Sequence, residues 1–275
     1  MTDRAGHGPL VAFTSLVMAG AGLVAASAYA RTVLSLDALP GLAVGAALLA
    51  AGLLVSLAHL GQKRRAGLAV RGLGRSALSN EALLAGLALA STVVAVGFGV
   101  AGVPSPAAAG AAGILNVALL VSIGLVYRIR GQRTWQGFSS VTPLTAGLAF
   151  GAVGAQSTAA TEGVFQVTLL VIAIDALVFT QRWRDVTGIP CSEAMLADRW
   201  QFRRTQLLAA RLFLLDVVPF FVLAVSPAAL AVPAAAAGMF VDRFGFYALA
   251  LQHTTEQEVA DVDARLAAPD HPPGD

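Results

Sequence analysis

The chain has 275 residues, of which 57% are hydrophobic and only 12% charged, with a formal net charge of +2. Soluble globular domains run at roughly 45–50% apolar and about 25% charged. Too few charges are present to coat a water-soluble surface of this size, which excludes a soluble enzyme, a disordered chain and a nucleic-acid binder. The single Cys191 excludes a disulfide framework and a Cys-rich zinc or iron–sulfur site within the chain. A polytopic membrane protein remains.

A transmembrane helix needs about 20 mostly apolar residues. Eight stretches meet this approximately: 9–30, 40–60, 82–103, 108–127, 141–160, 162–181, 207–225 and 228–252. None alternates apolar and polar residues as a membrane β-strand does. Gly and Ala are frequent within them, as in Gly45-Ala46-Ala47 and Gly147, Gly151 and Gly154. Small residues let helix backbones approach closely, so the expected fold is an all-α integral membrane protein, an eight-transmembrane-helix bundle over 1–266. The tail 267–275, with Pro269, Pro272 and Pro273, has the composition of a disordered segment. Ala28-Tyr29-Ala30 looks like a signal-peptidase site, but the apolar run before it is longer than a signal-peptide core, and Met1–Gly8 carries no basic cluster. The first helix is therefore read as retained.

With eight spans, the N-terminus, the second, fourth and sixth connections and the C-terminus share one face. Nearly all Lys and Arg fall on it. The connections after the third, fifth and seventh spans carry none, and the first carries only Arg31. The positive-inside rule then places both termini in the cytoplasm and the protein in the inner (cytoplasmic) membrane. The basic-side connections are the long ones, about 61–80, 128–140 and 182–206. Their cations Lys63, Arg64, Arg65, Arg71, Arg75, Arg130 and Arg133 make a candidate docking surface for a partner. Segment 185–205 mixes Met195, Leu196, Trp200 and Phe202 with charges, and reads as a short interfacial helix or a plain linker.

The histidines are His7, His59, His253 and His271. Only His59 is placed to face a bundle, so a bis-His haem is not expected, a stack of two haems cannot be built, and no haem or metal is expected in this chain. His59 closes the second span and Glu81 opens the third, on the same face. A histidine and a carboxylate beside an apolar cavity can exchange protons with a quinone as it takes or gives two electrons. Leu57, Leu60, Leu78 and Leu83 are near enough in sequence to hold the ring. Alternatively, His59 is an interfacial histidine bonded to backbone, and Glu81 complements a helix N-terminus with Ser79 or Asn80 as its N-cap. Asp175, Asp216, Asp242 and Arg243 lie inside spans, where each charge costs about 2.5–3.5 kcal/mol. They are expected either to pair in a network locking the last three spans or to line a proton path or quinone pocket.

The stretch His59-Leu60-Gly61-Gln62-Lys63-Arg64-Arg65-Ala66, followed by Gly74-Arg75-Ser76-Ala77-Leu78-Ser79-Asn80-Glu81, resembles the signature of the DmsC family. These are membrane anchor subunits of dimethyl-sulfoxide-reductase-type molybdoenzymes. Tyr127–Trp135 and Asp242-Arg243-Phe244-Gly245-Phe246-Tyr247 are similar to further family features. Lys63, Ala77 and Asn80 stand where the family has Pro, Trp and Arg. The resemblance implies that His59 and Glu81 form a quinone site for menaquinone or ubiquinone. It also implies partners: a four-cluster iron–sulfur subunit, and a catalytic subunit carrying a molybdenum or tungsten pterin. The anchor would not be catalytic alone. It would serve an S-oxide-type reductase or a sulfite-type dehydrogenase in the membrane. A purely structural anchor without a quinone site, or a small-solute transporter, are the alternatives.

Overall fold

In the computed structural model the described residues are 8–59, 74–128, 135, 137–187 and 198–248. They are mostly helical, with no strand among them: α1 (Gly8–Thr32), α2 (Leu39–His59), α3 (Ala77–Val100), α4 (Pro106–Val126), α5 (Thr142–Thr158), α6 (Glu162–Thr187), α7 (Asp198–Leu212), α8 (Val218–Val225) and α9 (Ala231–Ala248). Seven of the described helical segments are long and apolar enough to cross a membrane, with Thr205–Val225 counted as one. The chain is thus an all-α, multi-pass membrane protein. The expected stretch 141–160 is matched by α5, which has 17 residues and is not among those seven.

The bundle is built around α1, which packs on α2, α4, α5 and α9. Its faces are buried nearly all round, with Val17, Met18, Ala21, Val24 and Ala28 shielded. A helix can bury every face only if its neighbours come close, and small residues make that possible. At the α1–α5 crossing, a Cβ on Gly22 would overlap the Gly147 carbonyl, and one on Gly151 would overlap the Gly22 carbonyl. At the α1–α2 crossing, a Cβ on Gly20 would lie 2.8 Å from the Gly45 oxygen.

The outer helices divide into a buried and an exposed side. On α3 the buried residues Glu81, Ala85, Ala88, Thr92 and Ala95 recur every three or four positions. Leu78, Leu83, Leu87, Val93 and Val94 face outward, as lipid contact requires. Asn116 on α4 donates to the Thr92 hydroxyl (3.1 Å) and to the Ala112 carbonyl (2.9 Å), a polar tie between adjacent spans.

Several boundaries differ from the sequence expectation. The third helix starts at Ala77, five residues before the expected 82. Ser76, not Ser79 or Asn80, is the N-cap: its Oγ accepts from the Ser79 N–H. The Asn80 side chain instead accepts from the Gly74 N–H at 2.8 Å. The sixth helix runs on to Thr187, and α7 begins at Asp198. The ends of segment 185–205 are thus extensions of long helices rather than a separate interfacial one; 188–197 lie outside the described residues. The seventh stretch is not a uniform α-helix. A π-turn, Phe213–Val217, joins α7 to α8. Pro219 follows it and explains it, since in an α-helix its ring would collide with the Leu215 carbonyl.

Candidate functional site

Two sites stand out, both formed by polar groups that the bundle buries. The first lies where one end of each of several helices meets. Val11 near the start of α1 packs with Phe246 and Tyr247 near the end of α9, and with Tyr127 at the end of α4. The start of α3 is adjacent, because α3 and α4 form an antiparallel pair joined by a short turn. Glu81 sits about 6 Å along α3 from its first residue, on the inward stripe, and is 4% exposed. It is therefore a buried inward carboxyl rather than the residue that opens the helix. Among the described residues no side chain donates a hydrogen bond to it. Tyr127 and Tyr247 lie within its electrostatic reach.

These tyrosines belong to an aromatic cluster. The Tyr247 hydroxyl donates to the Tyr127 hydroxyl oxygen at 2.8 Å. Trp135 stacks on Phe246 with centroids 5.1 Å apart and donates its indole N–H to the Phe246 carbonyl at 3.0 Å. Tyr127 meets Trp135 and Phe246 edge-on. Burial pushes the Tyr127 hydroxyl above its usual range, so it stays protonated. Part of the fourth connection is thereby tied down: besides Trp135, the Phe138 N–H donates to Asp185 at the end of α6 (3.4 Å).

His59 ends α2, but the position of its side chain lies outside the described residues, as do Leu60, Lys63, Arg64, Arg65, Arg71, Arg130 and Arg133 and the tail 267–275. Of the expected docking cations only Arg75 is described, and it is exposed. Leu57, Leu78 and Leu83 are exposed beside the helix ends.

The second site is a cluster of buried charges between α6, α7, the π-turn and α9. It brings together all four of the expected intramembrane residues: Asp175, Asp216, Asp242 and Arg243. It also includes Arg182 near the end of α6 and Arg211 near the end of α7. Both are buried: Arg182 is 2% and Arg211 1% exposed. Asp242 accepts from Arg182 Nη1 at 2.8 Å, from Arg211 Nε at 3.3 Å, and from Arg243 through Nε at 2.8 Å and Nη2. Arg211 also reaches Asp175 at 2.7 Å and Asp216 at 2.5 Å.

Three guanidiniums meet three carboxylates, so the cluster can be neutral as a whole. Aromatic faces complete the shell: the Arg211 guanidinium carbon lies 4.0 Å from the Phe179 ring centroid, and that of Arg243 4.8 Å from Phe246. Asp175, Phe179, Arg182 and Val186 form the buried face of α6 at helical spacing. Asp175 is about 18–20 Å from either end of α6, close to mid-span.

No family model matches this chain, and no curated protein does. No group of three or more metal-ligating side chains occurs among the described residues. What the geometry offers is a buried carboxyl and a tyrosine pair at one bundle end, and a balanced charge cluster reaching toward mid-span. Glu81 and four of the cluster's charges stand out in the sequence. Tyr127 and Tyr247, 120 positions apart, are not legible as a pair, because nothing in the sequence says that α4 and α9 end side by side. The in-helix spacing of Arg182 seven residues after Asp175 was the available signal for Arg182.

Proposed function

We propose that this chain is the membrane anchor subunit of a molybdopterin oxidoreductase complex. It exchanges electrons between the quinone pool and a docked iron–sulfur subunit. The observation that carries the reading is Glu81. A carboxyl is costly to bury in an apolar bundle and persists where it has work to do. Here it lies at a helix end, beside two hydroxyls, within the stretch that resembles the DmsC signature.

With α5 counted as a span, the helices make eight passes, since 17 residues reach the lower limit for crossing a bilayer. Both termini then share a side. The Lys and Arg excess of the long connections makes that side cytoplasmic and the membrane the inner one. The same cations, Lys63, Arg64, Arg65, Arg71, Arg75, Arg130 and Arg133, supply a docking face for the iron–sulfur subunit, which in turn holds the pterin-bearing catalytic subunit. The quinone site lies at that end, where electrons have the shortest way to a docked cluster. His59 and Glu81 trade protons with the head group as two electrons pass.

The test is a steady-state quinone assay on the purified complex. Glu81→Gln keeps the size and removes the ionisable oxygen. It is expected to leave assembly and dithionite reduction of the clusters intact and to lower quinone-dependent turnover by about 10-fold or more, within the range for a lost proton-handling group. Wild-type turnover in an assembled Glu81→Gln complex refutes the quinone role of this residue.

A further inference from the structure

The buried charges do not divide evenly. Asp242 takes Arg182 and Arg243 outright, and a share of Arg211. Asp175 and Asp216 have only Arg211 between them, Asp175 on its Nη2 at 2.7 Å and Asp216 on its Nη1 at 2.5 Å. Two carboxyls thus sit on neighbouring nitrogens of one guanidinium, with a single positive charge for both. They are sealed from solvent, at 0% and 2% exposure. The second oxygen of each receives no donor among the described residues. The two carboxyls are also in hydrogen-bond contact with each other. An ionised carboxylate only accepts, whereas a protonated one has an O–H to give. A bond within the pair therefore requires a proton on one member. Like charges this close also resist being ionised together.

We propose that Asp175 and Asp216 form an exchangeable proton-binding site near mid-span, in which one proton is shared between the two carboxyls. The proton comes from water and returns to it, and no other bond is made or broken. The cluster is neutral when the site is empty and carries one positive charge when it is loaded. Among the described residues, the other charged groups of the cluster are Arg182 of α6, Arg211 of α7, and Asp242 and Arg243 of α9. α5 and α8 also pack here and carry no ionisable residue. A narrow cleft lined by Arg182, Leu208, Arg211, Asp242 and Gly245 has room for water beside Arg211. The site stands independently of the quinone reading of Glu81.

Infrared spectroscopy reads the proton directly. The full chain is given Glu81→Gln, which removes the buried carboxyl outside the cluster, and is placed in lipid nanodiscs. Spectra are taken from about pH 9 down to about pH 5, a range in which exposed carboxyls stay ionised. A protonated carboxyl shows a C=O stretch above the amide band that moves down in D2O. One such band is expected, growing as the pH falls. It should vanish in Asp216→Asn and equally in Asp175→Asn, because the remaining carboxylate then has Arg211 to itself. Either variant answers the question if the other does not fold. No band in the parent, a band that does not change with pH, or a band that survives in either Asn variant overturns the proposal. Because Glu81 is absent from every chain compared, none of these outcomes bears on its quinone role.

Discussion

Arg211 and Asp216, five residues apart in one continuous helical segment, form a buried ion pair of 2.5 Å. On a uniform α-helix, residues five apart point in directions about 140° different, given 3.6 residues per turn. The π-turn Phe213–Val217 closes this angle, because i→i+5 bonding brings such residues onto one face. The Val218 N–H bonds the Phe213 carbonyl in that pattern. The irregularity thus delivers a carboxylate to a guanidinium that otherwise shares only Asp175 and Asp242.

Asp242 is the member of the cluster on which most depends, since it accepts from three arginines. Asp242→Asn is expected to leave buried positive charge uncompensated and to cost about 3–5 kcal/mol, the usual penalty for breaking a buried pair from one side. Asp242→Asn combined with Arg243→Met restores neutrality and should recover much of the loss. Thermal denaturation in detergent, read by fluorescence-detected gel filtration, compares the three forms. Equal melting of the single variant and the parent would show that the cluster contributes nothing to stability.

Gly238 of α9 faces the widened turn, where a Cβ would lie 2.5 Å from the Leu215 nitrogen and 2.8 Å from its Cα. That neighbour is backbone and cannot swing away. Gly238→Ala should therefore destabilise by about 1–3 kcal/mol through overpacking. Gly245, two turns further along the same helix, has no atom of another described segment within 4 Å of where its Cβ would stand. Gly245→Ala is expected to be neutral, or stabilising by up to about 1 kcal/mol from helix propensity. Opposite signs for the two substitutions in the same melting assay check this; similar losses in both would refute it.

Topology gives a third prediction. Reporter fusions placed after Gly131 and after Ala267 should report the cytoplasm, and one after Ser105 the opposite side. The motive is the one-sided placement of Lys and Arg in the connections. Inverted signals would remove both the orientation and the cytoplasmic placement of the docking face.

Composition and hydropathy alone led to an all-helical membrane protein, because in a bilayer every backbone polar group must be satisfied within the segment, and long apolar runs leave the helix as the solution. The approximate positions of the helices followed from the same constraint. Glu81 and the charges Asp175, Asp216, Asp242 and Arg243 were visible as candidates because ionisable groups stand out against an apolar background. Other features needed the tertiary structure. Arg182 and Arg211 read as ordinary members of basic helix ends, and only the packing of α6 against α7 and α9 turns them inward onto Asp242. Pro219 marks the π-turn in the sequence, but only the tertiary structure shows that its Leu215 backbone packs on Gly238 of a helix that comes later in the chain. The Tyr127–Tyr247 bond joins two helix ends remote in sequence. Helix formation depends on local periodicity and solvent, which a sequence displays directly. Which side chains meet depends on crossings set by close backbone contacts such as Gly22 against Gly147 and Gly151, and these exist only once the bundle has formed.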